Sequence, residues 1–136
     1  MTAEPGKPTL PGPIVIIDDE PLALRAMSYF LTREGYEVVT ASNGDEGLGR
    51  VCELRPPLVF LDIMMPQLDG YEVCRRIRDD AGLDTTYIVM LSSKGQHVDR
   101  ELGLACGANE YMTKPFSPRE IVQRLREIFK LGHDCG

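Results

Sequence analysis

Five short apolar runs punctuate the chain, and each is followed by a stretch whose apolar residues recur at helical spacing. "PIVIIDD" is a β-branched run that stops at Asp18. In the segment after it, "EPLALRAMSYFLTREG", Ala23, Ala26, Met27, Phe30 and Leu31 fall on one helical face. Pro21 suits a first turn there and Gly35 a stop. "YEVVTA" predicts a second strand, and "NGDEGLGRVCEL" a helix capped by Asn43 and weakened by its glycines. "PLVFLD" predicts the third strand, and "DGYEVCRRIRD" a helix capped by Asp69 with Val73 and Ile77 inward. "YIVMLSS" is the fourth strand, and "GQHVDRELGLACG" a modest helix with Val98, Leu102 and Ala105 on one side. "NEYMT" is a short fifth strand. "SPREIVQRLREIFK" is the clearest helix, with Ser117 and Glu120 as a capping box around Pro118 and an apolar stripe of Ile121, Leu125 and Ile128.

Strands alternating with helices predict an α/β fold, a doubly wound parallel sheet with helices on both faces. At 136 residues the chain suits one domain. The reading divides it into a flexible lead-in at 1–12, rich in proline and glycine, a domain at 13–131 and a short tail at 132–136. The net charge of -6 argues against direct nucleic-acid binding by this chain. No apolar run approaches the ~20 residues of a bilayer span, so no membrane association is expected. The lead-in also lacks the apolar core of a signal peptide. Cys52, Cys74, Cys106 and Cys135 form no Cys-x-x-Cys pair, which argues against structural zinc. Three of them sit in helical patterns, where a buried thiol is the ordinary reading, and a reducing, cytoplasmic setting is expected.

The strand ends carry the chemistry. In an open parallel sheet, ligands gather beyond the carboxyl ends of the strands. Here the first strand ends on Asp18, Asp19 and Glu20, the third on Asp62, and the fourth on Ser92 and Ser93, while Lys114 and Pro115 follow the fifth. Clustered carboxylates repel, and a hard divalent cation relieves that repulsion. A lysine beside them suits a phosphate. A strand-end aspartate ringed by carboxylates and a lysine predicts phosphoryl transfer, with Asp62 as nucleophile. Turn or helix capping is the plain alternative for each aspartate taken alone.

With "DDE" at 18–20, "LDIMMPQLDG" at 61–70, "LSS" at 91–93 and "GANEYMTKPF" at 107–116, the chain resembles the receiver domain of bacterial two-component response regulators over residues 13–130. The resemblance implies the flavodoxin-like strand order 2-1-3-4-5. It implies that Asp62 accepts a phosphoryl group from a phosphohistidine on a sensor histidine kinase or phosphotransfer protein. The chain would then be a signalling acceptor rather than a turnover enzyme. It further implies a Mg²⁺ ion (or Mn²⁺) held directly by Asp19 and Asp62 and by the backbone carbonyl of Met64, with Asp18 acting mainly through water. Lys114 would contact the phosphate, and the Lys114–Pro115 bond would be cis. Ser92 and Tyr111 would be the switch pair, biasing a surface of the fourth helix, fifth strand and fifth helix. The charge-rich segment "KPFSPREIVQRLREIF", together with Glu110 and Arg100, would form paired ion bridges in a symmetric homodimer through that surface. The resemblance also points to Met64 and Lys94 as flanking the path of a hydrolytic water. Two other classes fit less well. A flavodoxin-type cofactor binder would place a hydroxyl-rich loop where "DDEP" stands, and an aspartyl phosphatase would carry Asp-x-Asp at the first strand. A stand-alone regulator and one module of a hybrid kinase or cyclic-nucleotide enzyme both remain open.

Overall fold

The computed structural model describes residues 10–93, 100–114 and 117–134. Its strands are β1 (Ile14–Ile17), β2 (Val38–Ala41), β3 (Leu58–Asp62), β4 (Tyr87–Ser93) and β5 (Glu110–Lys114). They form one sheet in the order β2-β1-β3-β4-β5, every pairing parallel. The helices are α1 (Pro21–Arg33), α2 (Gly44–Leu54), α3 (Gly70–Asp79), α4 (Arg100–Cys106) and α5 (Pro118–Asp134). Strand alternation divides the core into two layers. Val15, Ile17, Val59, Leu61, Ile88 and Met90 meet α2, α3 and α4 through Val51, Val73, Cys74, Ile77 and Cys106. Ile14, Ile16, Leu58, Phe60, Val89 and Leu91 meet α1 and α5 through Met27, Leu31, Ile121 and Leu125. The predicted doubly wound sheet is therefore what forms. Its central strands are apolar up to their carboxyl ends because both of their faces are covered.

Several predicted helix ends are present as hydrogen bonds. Asn43 and Asp69 accept the backbone N–H groups of Glu46 (2.8 Å) and Glu72 (3.0 Å). Ser117 and Glu120 exchange two bonds of 3.2 Å, satisfying donors the helix cannot. Gly35 takes φ 100°, the left-handed turn that stops α1.

Three packing expectations need correction. In α1 the buried stripe is Met27 and Leu31, with Leu24 packed beside them, while Ala26 is exposed. Phe30 is 40% exposed and meets Tyr29 edge-on. In α4 the side facing the core is Gly103 and Cys106; Leu102 and Ala105 point outward. Cys52 on α2 is exposed, whereas Cys74 and Cys106 are buried as expected. Burial pushes the Cys74 thiol up to about 12, which keeps it protonated and unreactive. Val98, Lys94, Pro115, Cys135, the start of the lead-in and the last residues of the tail lie outside the described residues.

Candidate functional site

The alternation that builds the α1/α5 layer also builds the site. Asp18 continues Ile14 and Ile16, Asp62 continues Leu58 and Phe60, and Lys114 follows Met112 by two on β5. All three arrive at the carboxyl edge on the same parity. Asp18 is fully buried and Asp62 is 4% exposed, so their charges must be met inside the protein. Lys114 meets them. Its Nζ lies 2.6 Å from Asp18 Oδ2, 3.3 Å from Glu20 Oε1 and 3.8 Å from Asp62 Oδ2. Burial alone would lower the lysine's pKa, but its bond and attraction to Asp18, and then the pull of Asp62 and Glu20, hold it above the ordinary value. Asp18 Oδ1 also accepts the backbone N–H of Glu20 at 2.9 Å, so the loop leaving β1 is tied to the site.

Asp62 is the perturbed group. Burial and the neighbouring Asp18 charge push its pKa from 3.8 up to about 7, against the opposing pull of Lys114 and the backbone N–H of Met64. Asp19, at the exposed rim, completes a set of three carboxylates whose oxygens lie within 4.8 Å of one another. Among the described residues one lysine lies between two buried acids and one exposed acid, which leaves negative charge uncompensated. Oxygen donors in that arrangement suit a hard divalent cation. A concavity of about 450 Å³ lies elsewhere, at the opposite edge of the sheet. Of its lining residues only Arg55 is charged, so it offers nothing for this chemistry.

The family model of the response regulator receiver domain matches residues 14–126. The chain belongs to that family. Among curated relatives of this receiver domain is the alkaline phosphatase synthesis transcriptional regulatory protein PhoP of Bacillus subtilis. It is 44% identical over 117 residues, which are 86% of this chain and 48% of that protein. The chain thus spans about half the length of the curated relatives it matches. Among solved structures, the chemotaxis response regulator CheY4 of Vibrio cholerae superposes with a TM-score of 0.81 at 28% identity, covering 88% of this chain and 99% of that one. The receiver domain of a Pseudomonas aeruginosa sensor histidine kinase, whose structure has magnesium coordinated in the active-site cleft, matches with a TM-score of 0.77. It is 28% identical, covering 85% of this chain and 95% of that one. The strand order 2-1-3-4-5 and the acidic pocket of this receiver agree with that membership.

The other residues expected at the site from the sequence are placed as follows. Ser92 is 3% exposed, next to the Leu91 that pairs with Asp62, and pairs with Thr113. Tyr111 pairs with Met90 and is half-buried against the α4 layer. The side chain of Met64 is 62% exposed beside the acidic cluster. Lys114 lies within β5 rather than after it, and its nearest partner is Asp18, not Asp62.

Two residues that shape the site were not singled out for it in the sequence. Glu20 shares Lys114, a contact that needs the turn after β1 to be seen. Gly70 is the more consequential. A Cβ there would stand 2.5 Å from the backbone oxygen of Asp62 and 2.8 Å from Ile63 Cα. The bare backbone lets α3 begin directly against the strand end, with the Gly70 N–H bonded to the Ile63 oxygen at 2.9 Å. The Asp-Gly pair at 69–70 is the only sequence signal for that approach.

Proposed function

We propose that this receiver domain takes a phosphoryl group from a phosphohistidine of a sensor histidine kinase or phosphotransfer protein onto Asp62, in a divalent-cation-dependent reaction in the cytoplasm. The observation that carries the reading is the convergence of Lys114 on two buried aspartates, with Asp19 at the rim. One Asp62 carboxylate oxygen attacks phosphorus as the bond to the histidine nitrogen breaks, and the freed imidazole takes up a proton. The backbone N–H of Met64 favours the ionised form of the Asp62 carboxylate, the form that attacks in line. Lys114 moves its Nζ from Asp18 toward the new phosphoryl oxygens, a short swing since it already lies 3.8 Å from Asp62.

Magnesium or manganese, held directly by Asp19, Asp62 and the Met64 carbonyl and through water by Asp18, would supply the positive charge that lets a dianionic group enter a carboxylate cluster. Ser92 then follows the phosphoryl group and Tyr111 the space it leaves, which shifts the α4–β5–α5 surface between two states. The chain acts as a signalling acceptor with no turnover substrate of its own. A homodimer through that surface would have to exchange existing bonds, because Glu110 is already held within the subunit by Arg124 and by the Tyr87 hydroxyl.

The test is labelling with ³²P-acetyl phosphate and Mg²⁺. Wild type should form an alkali-labile label, Asp62→Asn none, and Asp19→Ala should lose the magnesium dependence together with measurable Mg²⁺ binding. Undiminished, acid-stable label in Asp62→Asn would end the aspartyl-phosphate reading.

A further inference from the structure

Gly103 occupies the middle of α4 on its buried side. Glycine in a helix interior costs up to about 1 kcal/mol relative to alanine, so its presence calls for a reason in packing. The reason is Tyr111. A Cβ built on Gly103 would overlap the Tyr111 phenol oxygen and crowd Cζ, and would stand 3.2 Å from Cε2. The edge of the Tyr111 ring therefore fills the space that any other residue at 103 would need.

The backbone on either side has little freedom to yield. The Gly103 carbonyl accepts the N–H groups of Gly107 (3.1 Å) and Ala108 (3.0 Å), closing the turn between α4 and β5. Arg78 of α3 clamps that turn from outside, donating to the Gly107 oxygen and to Asn109 Oδ1, each at 2.9 Å. Asn109 Oδ1 in turn accepts the Ile88 N–H at 2.7 Å. The turn is thus bonded to α3, α4 and β4 at once. A methyl group at 103 has to be accommodated by the ring, which can rotate about its own side-chain bonds.

We infer that Gly103 is the positioning residue for Tyr111: its bare Cα is the socket that lets the ring lie between α4 and β5, and the side chain at 103 sets the balance between inward and outward ring. This rests on the proposed role of Tyr111 as the switch aromatic, but its structural half is separable. Gly103 touches none of the acidic cluster, so changing it should leave the chemistry at Asp62 intact and alter only how the ring reports it.

The experiment labels all five tyrosines with 3-fluorotyrosine, assigns the Tyr111 signal by its loss in Tyr111→Phe, and reads ring exposure from the solvent isotope shift of that ¹⁹F resonance. Wild type should show a partly shielded ring that becomes more shielded with acetyl phosphate and Mg²⁺. Gly103→Ala should show the shift of a fully exposed tyrosine in both conditions, with labelling at Asp62 within twofold of wild type. In the Tyr111→Ala background, Gly103→Ala should raise Tm, as an ordinary glycine-to-alanine change in a helix does, whereas with Tyr111 present it should not.

An unchanged Tyr111 shift in Gly103→Ala, or the same rise in Tm in both backgrounds, overturns the socket. Should Gly103→Ala fail to fold, a folded Gly103→Ala/Tyr111→Ala protein supports the inference, and an unfolded one overturns it because the methyl then clashes with something else. Absence of label on wild-type Asp62 would instead count against the proposed function and leave the ring measurement standing.

Discussion

With divalent cations chelated, Asp62→Asn should be more stable than wild type above neutral pH, and the difference should vanish in acid. Burial and the nearby Asp18 charge displace the Asp62 carboxyl from 3.8 up to about 7. The folded protein therefore holds a proton on this group that the unfolded chain has already released. A raised folded pKa means that the group's contribution is fully present below about pH 4 and is lost as pH rises through about 7. Each pH unit of displacement is worth about 1.36 kcal/mol, so the interval from 3.8 to about 7 sets a ceiling near ~4 kcal/mol. Asparagine is an imperfect stand-in for the protonated acid, which reduces this, and about 2 kcal/mol is expected.

For a domain of this size that is roughly 8 °C in Tm. The assay is thermal or urea unfolding of both proteins in EDTA from pH 4.5 to 8.5, plotted as the difference between them so that the titration of other groups cancels. Saturating Mg²⁺ should narrow the gap from the wild-type side, since occupancy at a hundred times Kd adds about 2.7 kcal/mol. A difference that does not depend on pH, or a wild type more stable than Asp62→Asn at pH 8.5, would refute the claim that the buried carboxylate is strained by its surroundings.

Two further outcomes concern Gly70 and the proposed aspartyl phosphate. Gly70→Ala should lose about 1–3 kcal/mol in urea unfolding, because the atoms its methyl meets are backbone atoms of Asp62 and Ile63 that cannot rotate away; stability equal to wild type would contradict that contact. Met64→Asn combined with Lys94→Glu should shorten the life of the aspartyl phosphate by roughly tenfold, about 1.4 kcal/mol of barrier, since a thioether positions water poorly where an amide and a carboxylate can hold it. Equal decay of ³²P-labelled protein at fixed Mg²⁺ would sink that idea.

The layers of the fold were legible because parallel strands covered on both faces need no alternation: Ile14–Ile17 and Leu58–Leu61 read as strands from their apolar runs alone. The caps were legible because Asn43, Asp69 and Ser117 each sit at fixed offsets from the donors they satisfy. The helix faces were harder. α1 carries apolar side chains over more than one stripe, and whether Phe30 or Leu24 turns inward depends on the crossing of α1 over the sheet, which periodicity does not encode. In α4 the expectation failed for a different reason. Periodicity looks for large apolar residues at the interface, yet the inward position is a glycine whose space is filled by a side chain from β5.

The site shows the same division. Strand-end carboxylates can be located from sequence once the sheet is parallel, because the carboxyl edge collects the last residue of every strand. Which of them a lysine chooses cannot be found that way. Lys114 lies at the end of β5, and to reach Asp18 at the end of β1 its side chain must extend past the ends of β4 and β3. Once there, it takes the aspartate that is fully buried over the one that is 4% exposed. Burial and the Asp18 charge beside it raise the Asp62 pKa, and Lys114, at 3.8 Å, offsets them only in part. An aspartate so placed suits the proposed reaction, in which a cation and a phosphoryl group would arrive together. The same lysine, released from Asp18 in that step, would supply the missing charge.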